Sequence, residues 1–249
     1  MLPASAYGAS RSAPKGPQCP TEGTRVVTFA KTVDGGFLTG EGEEVRLSGI
    51  LFPGGGGETV RAVASKDAAN ALEDSLKSRS VSIAPSAAPR DRYGRIVAQV
   101  FADGEWVEAR LLKAGQVRAA PDGASGPCAK ALLAAETEGR TASAGHWRDG
   151  LFRLRKSDEV RGNAGTFEIV EGTVVTATVN RGRGYINFGP DYKTDFTVTV
   201  APDGMKIFRA AKFDVKKLAG KHVRVRGWLE FYNGPEMDVS TPAAIEVLE

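Results

Sequence analysis

The chain has 249 residues and a formal net charge of +3, with 33 Lys and Arg residues against 30 Asp and Glu. This near balance excludes a protein that binds nucleic acid through an overall basic excess, so any such contact has to come from local patches. The length suits one large or two small domains, and no apolar run approaches the ~20 residues of a transmembrane helix.

The first 23 residues are rich in Pro, Ser, Ala and Gly and are predicted to be a disordered tail or the remnant of a signal sequence. Residues 2–10 resemble the small-residue end of a secretory signal, which predicts a periplasmic or secreted protein, with a cytoplasmic one as the alternative. The two cysteines, Cys19 and Cys128, form either one disulfide of an oxidising compartment or two unrelated thiols. If the tail folds back over the third predicted helix, the two can meet, and we predict the disulfide.

Short strands and one helix are predicted between the tail and residue 90. The glycine run 54–57 is interpreted as a flexible loop, because the Lys and Ser/Thr of a phosphate-binding P-loop are absent. The predicted elements are strands at 25–32, 37–39 and 44–50, a helix at 58–78, a strand at 81–83 and a loop at 85–90.

The most informative stretch is 91–95, Asp-Arg-Tyr-Gly-Arg, which places two guanidinium groups and an aromatic ring at the start of a strand. The apolar run 96–101 has strand composition, and Asp103-Gly104 is a strong turn signal. Apolar residues then recur at helical spacing over 105–115, where Gly115 suits the end of the helix.

These elements, with a third helix predicted over 129–143 that ends at Gly145-His146-Trp147, resemble the staphylococcal nuclease (thermonuclease-like) family. In that family an Asp-Lys/Arg-Tyr-Gly-Arg segment is followed by a strand, an Ala-Asp-Gly turn and a helix ending in Gly. The resemblance implies a domain over 24–149 that is an SNase-like OB-fold β-barrel with three helices. The fold class of the chain is predicted as α+β, mainly β.

The resemblance also implies a phosphate-binding role for two arginines, because Arg95 matches the family arginine that binds the scissile phosphate and Arg46 matches the second one. Each guanidinium offers a planar fork that suits phosphate. The alternative is that both pair with carboxylates such as Asp91 or Glu44. The candidate phosphate- or nucleic-acid-binding residues of this domain are Arg46, Arg92, Tyr93 and Arg95.

The sequence departs from the family where catalysis would occur. Of the family's calcium-ligating residues Asp34 remains, whereas the others and the general-base Glu are replaced here by Gly36, Leu51, Phe52 and Gly54. Calcium needs several oxygen ligands, and without a metal and a base no water is activated. We therefore predict no cofactor and no metal, and no residue is assigned a catalytic role. Calcium is expected only if another carboxylate, with Glu58 as the candidate, restores the site.

A linker is predicted over 150–164 and a second domain over 165–249. The predicted elements are strands at 167–179, 185–188, 195–200, 223–231 and 237–239, a basic turn at 180–184, a helix at 210–218 and an extended end at 244–248. This order matches an OB-like small barrel and resembles the OB-like tail of some bacterial thermonuclease-like proteins. Aromatic and Arg side chains on such a face suit single-stranded nucleic acid, although aromatic residues in barrel strands are more often core. The candidates are Arg183, Tyr185, Arg224 and Arg226.

The two domains together predict a thermonuclease-like protein that is catalytically degenerate and acts as a nucleic-acid-binding, phosphate-binding or scaffold module. An active phosphodiesterase or endonuclease that hydrolyses nucleic acid is the first alternative. A structural envelope protein that binds a protein partner is the second.

Overall fold

The computed structural model describes residue 19 and residues 23–54, 59–121, 128–191 and 193–248. Within these residues the fold is α+β, as predicted, with two main sheets that follow each other along the chain and each carry helices. No helix in this part of the chain is long and apolar enough to cross a membrane. The predicted tail before Cys19, the candidate ligand Glu58 and the glycines at 55–57 lie outside the described residues.

The first sheet is built from strands of the N-terminal part of the chain. Hydrogen bonds connect six of its strands in the order β1-β6-β7-β4-β3-β2, with β8 on β7, while β5 and β9 form a separate ladder. The strands are β1 (Arg25–Val27), β2 (Phe29–Val33), β3 (Gly36–Thr39), β4 (Glu44–Leu47), β5 (Ile50–Leu51), β6 (Val81–Arg90), β7 (Ile96–Ala102), β8 (Glu105–Trp106) and β9 (Arg118–Ala119).

Three helices pack with this sheet around one hydrophobic core. They are α1 (Thr59–Leu76), α2 (Val107–Lys113) and α3 (Ala129–Thr141). Every residue of β7 is buried, as expected for a strand covered on both faces, whose sequence is then a continuous apolar run. The largest fully buried side chains of this core include Phe37, Leu47, Leu72, Leu112 and Leu132.

Two predicted boundaries in this domain are wrong. The predicted loop at 85–90 is the end of β6, which pairs with β7 again at Arg90 after a register shift. The helix predicted from residue 105 begins at Val107, because the two preceding residues pair with β7 as β8. The predicted end of this helix is confirmed, since Gly115 has a φ of 65°, the left-handed conformation that favours glycine after a helix.

The predicted disulfide is confirmed: Cys19 and Cys128 are bonded, and their Cα atoms are 4.6 Å apart. Both residues are buried in the hydrophobic core of the first sheet and its helices. Cys128 directly precedes α3. The bond therefore ties residue 19 to the start of that helix across a sequence separation of 109 residues.

The second sheet is connected in the order β10-β11-β15-β16-β14-β13-β12, with β17 on β15. Its strands are β10 (Leu154–Lys156), β11 (Phe167–Thr173), β12 (Thr176–Asn180), β13 (Arg183–Asn187), β14 (Thr197–Val200), β15 (His222–Phe231), β16 (Pro235–Asp238) and β17 (Ile245–Val247). The segment predicted as a linker thus contributes β10, which runs parallel to β11. The helix α4 (Pro202–Ala210) packs on this sheet.

The single strand predicted over 167–179 is two strands. At the break, the N–H of Val174 donates to the carbonyl of Lys221 (2.9 Å), and the N–H of Val175 donates to the carbonyl of Asn187 (2.8 Å). The chain changes partners there, since β11 pairs with β15 and β12 pairs with β13. Alternation along the sequence does not reveal such a change, because both halves keep the strand period.

The helix predicted over 210–218 is also wrong. The α-helix is α4, which ends at Ala210, and only a short 3-10 turn forms at Val215–Leu218. The sequence carries the missed signal, because Pro202 suits the first turn of a helix. Met205 and Phe208, three residues apart, then place one apolar side in the core.

The two sheets share one strand order. In each sheet, two strands that follow each other in the sequence lie far apart in the hydrogen-bonded strand order. They are β1 and β2 in the first sheet and β11 and β12 in the second. In each, a three-strand meander is followed by a helix, and its third strand pairs in parallel with a later one (β4 with β7, β14 with β16). Hydrogen bonds do not close either path into a ring among the described residues, so the predicted closed barrels are corrected to open sheets.

Candidate nucleic-acid interface

The segment 91–95 is a tight turn between β6 and β7 that the side chain of Asp91 organises. Its Oδ1 accepts hydrogen bonds from the backbone N–H groups of Tyr93 (2.9 Å) and Arg95 (3.1 Å), an arrangement typical of Asx turns. Gly94 has a φ of 81°, which a residue with a Cβ adopts only at a cost. The turn therefore fixes the backbone from which the candidate side chains project.

Arg95 is partly buried beside two carboxylates. Its Nε donates to Asp91 Oδ2 (2.7 Å), and its Nη1 lies 3.6 Å from Glu44 Oε1. Burial would raise the pKa of the Asp91 carboxyl, but the hydrogen bonds from Arg95 and from the turn backbone leave that pKa below its usual value. The carboxylate pairing considered as an alternative is thus present at Arg95.

The ring of Tyr93 is exposed and lies between two guanidinium groups. It is 68% exposed, and the Cζ atoms of Arg92 and Arg95 lie 4.8 and 5.3 Å from its ring centroid. These distances are within the range of cation–π interactions. We refer to Arg92, Tyr93 and Arg95 as the Tyr93 platform, because an exposed aromatic ring flanked by cations is the element that stacks bases and neutralises phosphates in single-strand binders.

Arg46 lies on the strand next to the platform. Val45 pairs with Ile96 in the parallel β4–β7 ladder, and both are buried, so Arg46 points to the opposite face of the sheet, the face of Arg95. Among the described residues, the side chain of Arg46 forms no hydrogen bond and no ion pair. The structure therefore brings all four candidates of this domain to one end of the sheet, and their role in binding stays a prediction.

Of the positions that the resemblance matches to the family's calcium ligands and base, Asp34 keeps a carboxylate, and four lack side-chain oxygens: Gly36, Leu51, Phe52 and Gly54. Gly36 lies in β3 opposite Arg46, and a Cβ at this position would overlap the carbonyl oxygen of Val45. Phe52 is buried in the core. Within residues 23–54, 59–121, 128–191 and 193–248 no cluster of three His, Cys, Asp or Glu residues could hold a metal. The residues present here do not fit a calcium ion.

Restoring an aspartate at Gly36 is expected to damage the fold rather than to rebuild a metal site. Gly36→Asp forces a side chain into the β4 backbone, so we expect a loss of about 1–3 kcal/mol of stability, typical of overpacking. Calorimetric titration of this variant and of the unmodified protein with calcium should show no binding. The thermal midpoint reports the stability.

Gly54→Asp is the matched control, because a Cβ at Gly54 meets no atom within 4 Å and the backbone there is not left-handed. We expect its stability to stay within about 0.5 kcal/mol of the original, as for most surface substitutions. Unchanged stability of Gly36→Asp together with micromolar calcium binding would contradict the prediction.

The candidates of the second sheet separate into two pairs. Arg226 is 3% exposed, and its guanidinium bonds to Glu136 on α3 and Glu246 on β17, both at 2.5 Å. Arg224 bonds to Glu171 through its Nε (2.7 Å). Neither presents a guanidinium on the open face on which the sequence placed them. They lie where α3 of the first domain packs against the second sheet.

Arg183 and Tyr185 lie instead beside an open groove, which we name the C-terminal groove. It has a volume of about 440 Å³ and is lined by residues of β12, β13, β14 and the β15–β16 turn: Thr178, Asn180, Tyr185, Asn187, Thr197, Tyr232, Asn233, Pro235 and Glu236. Arg183 is partly exposed, with Asp238 Oδ2 at 3.8 Å. The groove combines a polar floor with two tyrosine rings.

Sequence reasoning missed Tyr232, which is 75% exposed, and its exposed neighbour Phe231. The Asn233-Gly234 pair that follows them is the sequence signal that could have indicated their exposure. Asn-Gly marks a hairpin turn, so the aromatic residues directly before it lie at the end of β15 and outside the core.

Comparison with known families agrees with this geometry in the first domain. Residues 44–149 match the family model described as Staphylococcal nuclease homologue. The chain therefore contains a staphylococcal nuclease-like domain, a class associated with nuclease or nucleic-acid-binding function. The match covers β4 to α3 and the Tyr93 platform. A search of the curated proteins found no match.

Proposed function

We propose that this protein is a nucleic-acid-binding module whose staphylococcal nuclease-like domain no longer carries out calcium-dependent hydrolysis. The observation that carries the proposal is the Tyr93 platform, an exposed ring between Arg92 and Arg95 at the place where the family binds phosphate. Arg46 on the neighbouring strand adds a cation without a carboxylate partner among the described residues. The poor fit of the calcium positions supports binding without cleavage.

We further propose that the second sheet is an OB-like domain that contributes a second contact to single-stranded nucleic acid. Its strand order equals that of the first sheet, with a meander, a helix and then a hairpin. OB folds bind oligonucleotides on the face of their second and third strands and with the adjoining loops. The C-terminal groove lies on that face, with Tyr185 and Tyr232 in its lining available for stacking. Arg183, two residues before Tyr185 on β13, is available for phosphate.

An exported protein fits the disulfide, because such bonds persist in oxidising compartments. We therefore propose a periplasmic or secreted location. The rival function is an active phosphodiesterase, and it is distinguished by cleavage. If the protein digests single- or double-stranded DNA in the presence of calcium, and a chelator abolishes this digestion, its function is hydrolysis and not binding.

Substitution of the platform tests the proposal. Tyr93→Ala should weaken binding of a fluorescently labelled thymidine oligonucleotide by about 1–3 kcal/mol, the range measured for one base stacked on an aromatic ring. Arg92→Ala should lower the slope of log K against log salt by about 0.7, the loss of one phosphate contact on a single strand. Fluorescence anisotropy at several salt concentrations measures both quantities.

The same assay with Tyr232→Ala tests whether the C-terminal groove contributes to binding. The matched control is Arg148→Ala, which removes an exposed arginine whose Nε donates a 3.4 Å hydrogen bond to the Ser143 carbonyl. We expect the control to bind like the original protein. Equal affinity of Tyr93→Ala and the original, at all salt concentrations, would exclude the platform as the binding site.

A further inference from the structure

A small cleft lies where the first domain, the segment after α3 and the second sheet meet. Its volume is about 120 Å³, well below the roughly 300 Å³ of pockets that enclose a whole drug-sized ligand. A space of this size suits one chemical group and not a complete nucleotide. We name it the junction cleft.

The wall of the junction cleft is strongly cationic. Among the described residues, it is lined by the arginines Arg61, Arg118, Arg153 and Arg155 and by one carboxylate, Glu168. That carboxylate is already bonded, because it accepts from Arg155 Nε (2.8 Å) and from the Thr166 hydroxyl (2.7 Å). Among the described residues, neither Arg118 nor Arg153 forms an ion pair, and an anion in the cleft would balance their charges.

Arg118 is fixed in position and retains one unused donor. Its Cζ lies 5.0 Å from the ring centroids of both Phe152 and Phe167, and its Nη1 donates to the Phe167 carbonyl (2.5 Å). Its Nε is buried without a hydrogen-bond partner. Buried N–H groups are almost always bonded, so this one points to an acceptor that the chain does not supply.

The electrostatics of Arg118 agree with a missing anion. The pKa of its guanidinium is lowered to about 10, mainly by burial; the charges of Glu168 and Glu136 oppose this lowering, and those of Arg61 and Arg226 add to it. A phosphate would offset both effects. Arg153, by contrast, is exposed at the rim and makes no side-chain hydrogen bond or ion pair within the part of the chain described.

The rim also carries an aromatic surface. Trp228 lines the cleft and is 53% exposed. Its ring packs edge-on against Phe167, with centroids 6.0 Å apart and an interplanar angle of 79°. An edge-on contact restricts the indole and leaves exposed surface on which a planar group can stack.

We propose that the junction cleft binds the phosphate monoester of a nucleotide, with the phosphate between Arg118 and Arg153 and the base stacked on Trp228. The small volume accommodates the phosphate, the arginine forks supply its donors, and the half-exposed indole at the rim takes the base. This site is separate from the Tyr93 platform and does not depend on it. Leu51 and Gly54, which match family positions for a calcium ligand and the general base, also line the cleft but supply no side-chain donor.

Titration of the full-length protein with adenosine 5′-monophosphate tests the proposal, with tryptophan fluorescence as the readout. We expect saturable quenching that disappears in Trp228→Phe, and competition by inorganic phosphate. Adenosine, which lacks the phosphate, should bind at least about tenfold more weakly, as expected for the loss of charge-assisted hydrogen bonds. Arg153→Ala should weaken nucleotide binding by about tenfold for the same reason.

Arg153→Ala is the main variant because the Arg153 side chain is exposed and its removal leaves the packing intact. Arg118→Met can disturb the fold and serves only as a second variant. Arg148→Ala, an exposed arginine five residues earlier, is the matched control and should bind like the original. Tyr93→Ala should leave nucleotide binding unchanged, which separates failure of this site from failure of the platform. Equal binding of adenosine and its monophosphate, or full affinity in Arg153→Ala, would overturn the proposal.

A pair of thymidine oligonucleotides with a 5′-phosphate or a 5′-hydroxyl identifies the source of the phosphate. If the phosphorylated strand quenches Trp228 more strongly than the mononucleotide does, the site holds the end of a strand. If the mononucleotide binds more tightly, the site holds a free nucleotide. Both results support the phosphate site, and quenching by the two strands to an equal extent speaks against it.

Discussion

Replacing Arg226 by Met is expected to lower the free energy of unfolding by about 3–5 kcal/mol, because removing one member of a buried ion-pair cluster leaves uncompensated charge in the interior. The guanidinium bonds to Glu136 Oε2 and Glu246 Oε1 and also donates to the carbonyl of Ala119 (3.2 Å). Glu136 in turn accepts from the N–H of Ala119 (2.7 Å). Urea denaturation followed by circular dichroism measures the loss.

Two further variants separate lost charge pairing from lost packing. Arg183→Met makes the same substitution in the same sheet at a partly exposed arginine whose carboxylate contact is 3.8 Å, so it should cost less than about 1 kcal/mol. Combining Arg226→Met with Glu136→Gln should cost less than the sum of the single changes, because the two residues are directly bonded. Stability of Arg226→Met within 1 kcal/mol of the original would contradict a structural role for the cluster.

Reduction of the disulfide is the second large effect that we expect. Cross-linking across about a hundred residues restricts the unfolded chain, and the loop-entropy model gives roughly 4–5 kcal/mol, while removal of native disulfides typically costs 2–5 kcal/mol. Reductant should therefore shift the urea midpoint strongly downward. Reduction also removes the covalent link between Cys19 and the start of α3.

The double variant Cys19→Ala with Cys128→Ala is the control for this experiment. Its midpoint should match that of the reduced protein and should not respond to reductant. Mass spectrometry of the protein purified under oxidising conditions should find no free thiol. Two free thiols, or a midpoint that does not respond to reductant in the original protein, would refute a stabilising bond.

The local elements of the first domain follow from short-range sequence signals. The turn at 91–95 rests on Asp91 bonding backbone groups two and four residues ahead, and the buried strand that follows is a continuous apolar run. The start of α2 could not be placed in this way, because Trp106 pairs with β7. These two residues pair with Phe101 and Ala102 across the Asp103-Gly104 turn, and this hairpin pairing overrides their local preference for a helix.

The candidate site was predictable on one domain and not on the other. Arg46 and Arg95 share a sheet face through strand register, and period-two alternation gives that face from the sequence. Arg226 obeys the same alternation, yet it lies beneath α3, because the packing of one domain on the other covers its face of the sheet. Alternation tells which side a residue occupies but not what covers that side.

By itself the sequence indicated the α+β class and the staphylococcal nuclease-like segment, showed that Gly36 and Leu51 carry no side-chain oxygen, and predicted the Cys19–Cys128 disulfide. These features depend on residue identity and on local order along the chain. Only the tertiary structure decided that Arg226 is a buried link between domains and that Arg118 is held in the junction cleft with an unused donor. The reason is that burial and charge balance at a domain contact depend on residues far apart in the chain, and no local pattern encodes their approach. Arg226, for example, bonds to Glu136 and Ala119, which lie 90 and 107 positions away.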